Sequence, residues 1–156
     1  MSDQTYLTAE GAALVKAELA ELKGPKRTEL AKRLRSAIQM GDLSENADYH
    51  KAKEDQGFLE GRIKDLEYLL QNAIIVDISV VSRDTVQVGT RVTIQEEGED
   101  TQETYFMVGA SEADPRNGRI SNESPIGQAL FGKKVGEIAV AKTPGGEITF
   151  RVLKIE

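Results

Sequence analysis

The sequence predicts an α+β protein, in which an N-terminal antiparallel coiled-coil helical hairpin is followed by a mostly antiparallel β-sheet domain with one short helix. Two observations carry this. From Thr8 to about Ala73, apolar residues recur at helical spacing among Ala, Leu, Glu, Lys and Arg, the strong helix formers. From Ile74 onward the pattern alternates with period two. The change of period sets the domains at 1–76 and 77–156, with an acidic tip at 41–49.

Thr8 is placed to cap the first helix, with Glu10 in its first turn. Val15, Leu19 and Leu22 step by four and three, and Leu30, Leu34 and Ile38 continue as a stripe at four-residue intervals. Between them, Gly24-Pro25 reads as a helix stop followed by a residue suited to opening the next helix, so a break or kink is expected. Leu59, Ile63, Leu66, Leu70 and Ala73 step by 4, 3, 4, 3, a heptad seam on a returning arm. Two seams need each other, which folds 8–40 against 45–75. The returning helix, about 28 residues from Glu45, would be about 42 Å long. Beyond it, IIVDISVV, VQVGTRVTIQ, ETYFMVG, EIAVAK and EITFRVLKI read as strands. Ser124, Pro125 and Gly132 can cap, open and close one short helix among them.

The formal net charge is −6, which excludes a general nucleic-acid coat, because phosphate binding is driven largely by Lys and Arg. One stretch runs the other way. Lys23, Lys26, Arg27, Lys32, Arg33 and Arg35 stand against only Glu29, which leaves a local RNA contact and a solvated helix face as the two readings. Cysteine is absent, so disulfides and thiolate metal sites are excluded and a reducing compartment fits. No basic leader with an apolar run and no long apolar stretch is present, so a cytoplasmic protein without a membrane partner is expected.

The bend of the hairpin, GDLSENADYH, carries Asp42, Glu45 and Asp48 at three-residue intervals. Asp42-x-x-Glu45 has the spacing of a capping box, and carboxylates near a helix N-terminus are favoured. Carboxylates at an exposed tip also bind hard cations, although two of them supply only part of the roughly six oxygen ligands that Mg²⁺ takes. Such a pair makes chemical sense if a long arm carries it into a partner that already holds a metal and a phosphodiester.

GDLSENADYH, QGFLEGRIKDLE, SPIGQALFGKKVG and KTPGGEITFRV together resemble the Gre family of bacterial transcript cleavage factors, over essentially the whole chain. The resemblance implies a coiled coil that enters the secondary channel of RNA polymerase, and a C-terminal domain similar to FKBP-type prolyl isomerases that holds the rim. Asp42 and Glu45 fall on the family's acidic pair, which helps bind the second Mg²⁺ of the polymerase so that a backtracked transcript is cleaved. No metal is expected in the free protein, which is read as a monomer and not as an enzyme itself. Asn46, Asp48 and Tyr49 follow in the motif as support for the tip. SAIQM carries no basic residue before Gly41, so Arg35, Lys51 and Lys53 are the candidates for contact with the nascent RNA 3′ segment; pairing of the lysines with Glu54 or Asp55 is the alternative. Ser124, Pro125 and Ile126 are candidate polymerase contacts, or simply the start of the short helix. His50, a lone histidine, fits packing or hydrogen bonding beneath the tip better than proton transfer. A channel-plugging inhibitor, a prolyl isomerase and a structural adaptor are the competing readings; the isomerase is disfavoured because Phe150 alternates with Ile148 and Val152 as a core position.

Overall fold

The computed structural model describes residues 4–156, which divide into two compact units. One runs from Ala13 to Asn72, and the other joins the segment ending at Ala12 to Ala73–Glu156. The division differs from a cut at 76/77, because a short strand at each end of the helical region belongs to the second unit, where the two pair with each other.

The helical unit is a hairpin. Helix α1 (Ala9–Glu21) passes through a π-helical turn, Leu22–Lys26, into α2 (Arg27–Gln39), and α3 (Ala47–Asn72) returns. The stop expected at Gly24-Pro25 is therefore corrected: the backbone stays helical, and the wider turn accommodates the missing N–H and the bulk of the Pro25 ring. The Gly24 carbonyl accepts both the Arg27 N–H and the Thr28 hydroxyl, the latter at 3.2 Å.

Leu30 and Ala37 of α2 and Ala52, Ile63 and Leu66 of α3 are buried. Each buried Leu or Ile contributes about 1.5–3 kcal/mol. Ile38, expected on the seam, is 53% exposed, and Ala37 at 2% takes its place. Steps of four overshoot the helical repeat by about 40° each, so eight residues from Leu30 lie about 80° off its face while seven lie about 20° off. Four ion pairs flank the seam: Arg62–Glu18 at 2.9 Å, Lys23–Glu67 at 3.2 Å, Arg27–Glu60 at 2.6 Å and Arg33–Asp55 at 3.0 Å. Each is half exposed and worth about 0.2–1 kcal/mol. Their larger effect is on the basic stretch, since Lys23, Arg27 and Arg33 are committed to the opposite arm. Lys26, Lys32 and Arg35 have no ion-pair partner among the described residues.

In the other unit, β1 (Tyr6–Thr8) pairs in parallel with β2 (Ile74–Val76). Strands β3 (Arg91–Glu96), β4 (Gln102–Val108), β5 (Arg119–Ser121), β6 (Ile138–Thr143) and β7 (Gly146–Ile155) form a sheet in the order β5-β4-β3-β7-β6, antiparallel except for β4 with β5. The strand expected over 74–81 stops at Val76, because Asp77 accepts from the Ser79 N–H and hydroxyl and turns the chain. Val86 and Val88 are buried as their alternation requires, but Gly89 (φ +98°) holds them off the ladder until Arg91.

Helix α4 (Pro125–Leu130) is capped by Ser124, whose hydroxyl accepts the Gly127 N–H at 3.1 Å. Its Leu130 joins Val92, Ile94, Met107, Phe150 and Val152 in the core. Thr8 caps α1 as predicted, accepting the Gly11 N–H at 3.0 Å, and is itself held by Glu112, whose carboxylate accepts the Thr8 hydroxyl and the N–H groups of Thr8 (2.9 Å) and Gly109 (3.3 Å).

A Cβ on Gly127 would collide with the Ser121 carbonyl, so the helix sits on β5 only with glycine there. Gly127→Ala is expected to lower stability by about 1–3 kcal/mol, read as the urea midpoint; an unchanged midpoint would mean that α4 is free to move.

Candidate functional site

The tip is built by a sharp exit from α2. Met40 N–H donates to the Ala37 carbonyl at 3.1 Å, and Gly41 at φ +118° reverses the chain in a conformation that a side chain would strain. A single 3₁₀ turn, Leu43–Glu45, follows, with Asp42 as its cap. The Asp42 Oδ1 accepts the Ser44 N–H at 2.9 Å and the Ser44 hydroxyl at 2.8 Å.

The capping box expected from Asp42-x-x-Glu45 does not form on α3. Asn46 is the cap instead: its Oδ1 accepts the Tyr49 N–H at 3.0 Å, while its Nδ2 donates 2.7 Å back to the Ala37 carbonyl on the other arm. One amide thus closes the last turn of α2 and opens α3. The signal was in the sequence, since Asn ranks with Asp as a cap and stands directly before Ala47. Asp42 and Glu45 consequently belong to neither α-helix, and both are exposed. Asp48 lies in the first turn of α3, where a negative charge is favoured.

The Ser44 N–H and then the Ser44 hydroxyl hold the Asp42 carboxyl below its usual range. Oδ2 makes no hydrogen bond among the described residues. His50 is exposed, with its Nε2 3.4 Å from the Ser44 carbonyl and its ring 5.6 Å from that of Tyr49, so it lies beside the turn. Met40 and Leu43, 70% and 39% exposed, add apolar surface beside the carboxylates.

Of the basic candidates, Lys51 pairs with Asp55 at 3.2 Å and Lys53 donates to Gln56 at 2.8 Å, both along their own helix, whereas Arg35 is exposed. Far from the tip in sequence, Ser124 caps α4, Pro125 is exposed and Ile126 packs against the core. Next to them Asn122 carries a buried side-chain oxygen without a hydrogen-bond partner, which no sequence pattern marks.

Among the described residues no group of three or more His, Asp or Glu could hold a metal. The tip fits a hard cation only as a partial donor set, since it offers Asp42 with one oxygen fixed and the other free, and Glu45 one turn on.

Residues 5–75 match the family model "Transcription elongation factor, N-terminal", and 81–156 match "Transcription elongation factor, GreA/GreB, C-term". The chain is 46% identical over 157 residues to the transcription elongation factors GreA of Streptococcus pneumoniae serotype 19F (strain G54) and Streptococcus sanguinis (strain SK36), spanning 100% of this chain and 98% of each relative. The crystal structure of GreA factor homolog 1 (Gfh1) of Thermus thermophilus aligns over 98% of this chain and 99% of its own, with 26% identity and a TM-score of 0.44.

Two predictions come from this geometry. Asn46→Ala removes a cap and leaves the Ala37 carbonyl with the Met40 N–H alone, and is expected to cost about 1–2 kcal/mol, seen as faster amide exchange at Tyr49 and His50. A loss confined to global stability, with the tip amides unchanged, would overturn the assigned role. The lowered Asp42 pKa stabilises the tip fully above the unfolded value near 3.8, and that contribution is lost as pH falls through the folded value. Ser44→Ala keeps the N–H donor and loses the hydroxyl, so the Asp42 midpoint in a ¹³C NMR titration should rise part-way towards 3.8.

Proposed function

The chain belongs to the GreA/GreB family of transcription elongation factors, and on that premise we propose that it inserts its hairpin tip into the secondary channel of RNA polymerase and stimulates cleavage of backtracked transcripts. The observation that carries this reading is the placement of Asp42 and Glu45: two exposed carboxylates on one turn, free of both helices, at the end of α3. Its 26 residues make an arm of about 39 Å. A free pair on a convex turn has no cavity and no further protein donors, which suits it to complete a site that another molecule begins.

Asp42 and Glu45 are the residues that would hold Mg²⁺ jointly with the polymerase. Bound there, the ion would lower the pKa of a water and offset charge on the phosphodiester. The chain's own part is positioning. Ser44 fixes one Asp42 oxygen and leaves the other outward, Gly41 sets the direction of the turn, and Asn46 keeps the turn from unravelling into either arm. The factor is then not a nuclease by itself; the polymerase cuts and the tip assists. Arg35, the exposed cation nearest the bend on α2, is the best placed of the basic candidates to meet the RNA 3′ segment. Ser124, Pro125 and Ile126 are proposed contacts to the polymerase, and the free factor is proposed to be a cytoplasmic monomer. No helix is long and apolar enough to cross a membrane among the described residues.

The test is release of short 3′ fragments from stalled, backtracked elongation complexes in Mg²⁺. Wild type should accelerate release, and Asp42→Ala or Glu45→Ala should abolish the acceleration with an unchanged circular dichroism spectrum. Slower release than the polymerase alone would identify an inhibitor, and full activity in both variants would remove the carboxylates from the mechanism.

A further inference from the structure

The sheet of the second unit has two chemically different faces. Ala139, Ala141, Phe150, Val152, Val92 and Ile94 line the face that forms the core with α4. On the opposite face, Arg119 of β5 stands beside Phe106 of β4, and Phe106 stands beside Arg91 of β3, in direct cross-strand register. The guanidinium carbons of Arg91 and Arg119 lie 4.9 and 5.3 Å from the centre of the Phe106 ring. The next row places Thr104, Thr93 and Lys154 side by side, with the two threonine hydroxyls 3.0 Å apart, and the row after it brings Arg151 opposite Gln95.

Two like charges gathered on one ring repel each other unless something draws them together, and the ring quadrupole offsets only part of that. The carboxylates nearby offset only part of this charge. Glu112 lies 3.9 Å from Arg119, and Glu156 lies 2.5 Å from Lys154 with Arg91 also in its field, while Arg91 and Arg151 form no ion pair among the described residues. This concentration of cations lies in a protein of net charge −6.

We infer that this outer face of the β5-β4-β3-β7 sheet is a binding surface for single-stranded nucleic acid, with Arg91, Arg119, Arg151 and Lys154 on phosphates and Phe106 with its guanidinium neighbours as the stacking platform. Cations interleaved with an aromatic on central strands are what sequence-tolerant single-strand binding uses, and threonine hydroxyls can donate to phosphate or sugar oxygens. An acidic peptide would meet the same cations, but β3 and β4 have neighbours on both sides, and on the end strand β5 the Arg119 N–H and carbonyl are already bonded to Asp114, which leaves a peptide little edge to extend. The assignment is independent of the tip and of the polymerase.

The test uses the full chain without polymerase and without Mg²⁺, measuring fluorescence anisotropy of a labelled oligouridylate in 50 and 200 mM NaCl. Four phosphate contacts predict about 50-fold weaker binding at the higher salt, and the Arg91→Gln/Arg119→Gln double variant should fall only about 7-fold. Phe106→Leu should weaken binding about fivefold or more at both salts. Lys154→Gln, an exposed change that leaves the core untouched, should lower the salt dependence by one contact, and a Lys26→Gln/Lys32→Gln variant should keep most of the wild-type response. The proposal is overturned if the double variant and Lys154→Gln retain the wild-type salt response, if the helical variant alone abolishes binding, or if polyglutamate displaces the RNA at lower concentration than unlabelled oligouridylate does.

Discussion

Everything the tip can do depends on one side-chain amide. A hairpin must end two helices in a few residues, which strands the last carbonyls of one arm and the first N–H groups of the other. Asn46 serves one of each, with the Ala37 carbonyl on one side and the Tyr49 N–H on the other. That is a task a carboxylate cannot perform, since it has no donor. Had Asp42 capped α3, it would have been drawn into the first turn of the long helix, whereas here it caps only the short 3₁₀ turn through one oxygen. With Asn46 in that place, Asp42 and Glu45 are left facing outward on a turn of their own.

Charge in this molecule is sorted by place rather than by amount. Along the hairpin, basic side chains of the first arm are matched by acids of the second, and Arg62 by Glu18 in the opposite sense, so an apparently cationic segment is largely neutralised within the unit. Arg27 holds the Glu60 carboxyl below its usual range, and Arg33, then Lys51, do the same for Asp55. These bonds align the arms more than they stabilise them, because exposed pairs are weak and screened. On the sheet the balance tips the other way, and cations outnumber their partners.

Much of this was legible in the sequence, and what was not has a physical cause. Period 3.5 gave the hairpin and period two gave β3, β4, β6 and β7, because each of these elements buries one face over many residues. Strand β5 is three residues long and carries no alternation to detect, and the parallel pairing of β1 with β2 joins segments far apart in the chain. Ile38 was misplaced because a count in fours ignores the drift against the helical repeat. At the site, Asp42 and Glu45 stood out by spacing, but the division of labour between Asp42 and Asn46 did not: both residues are good caps, and only the length of the reversal decides which one the long helix uses. The row across β5, β4 and β3 was invisible for a stronger reason, since Arg91, Phe106 and Arg119 become neighbours only through strand register.

The π turn at Pro25 bears on how such an arm can change over evolutionary time. Leu22 and Leu30 are eight residues apart, one more than a heptad, and in an unbroken α-helix that surplus would rotate everything beyond it by about 100°. A π turn takes up one additional residue without ending the helix, and on either side of it Leu22 is half-buried and Leu30 buried. The wide turn therefore reads as an absorbed insertion, with the proline marking where it was accommodated. A chain deleted by one residue here could revert to plain α-helix and keep its seam, whereas the same deletion elsewhere on the arm would turn the tip-proximal half out of phase with its partner.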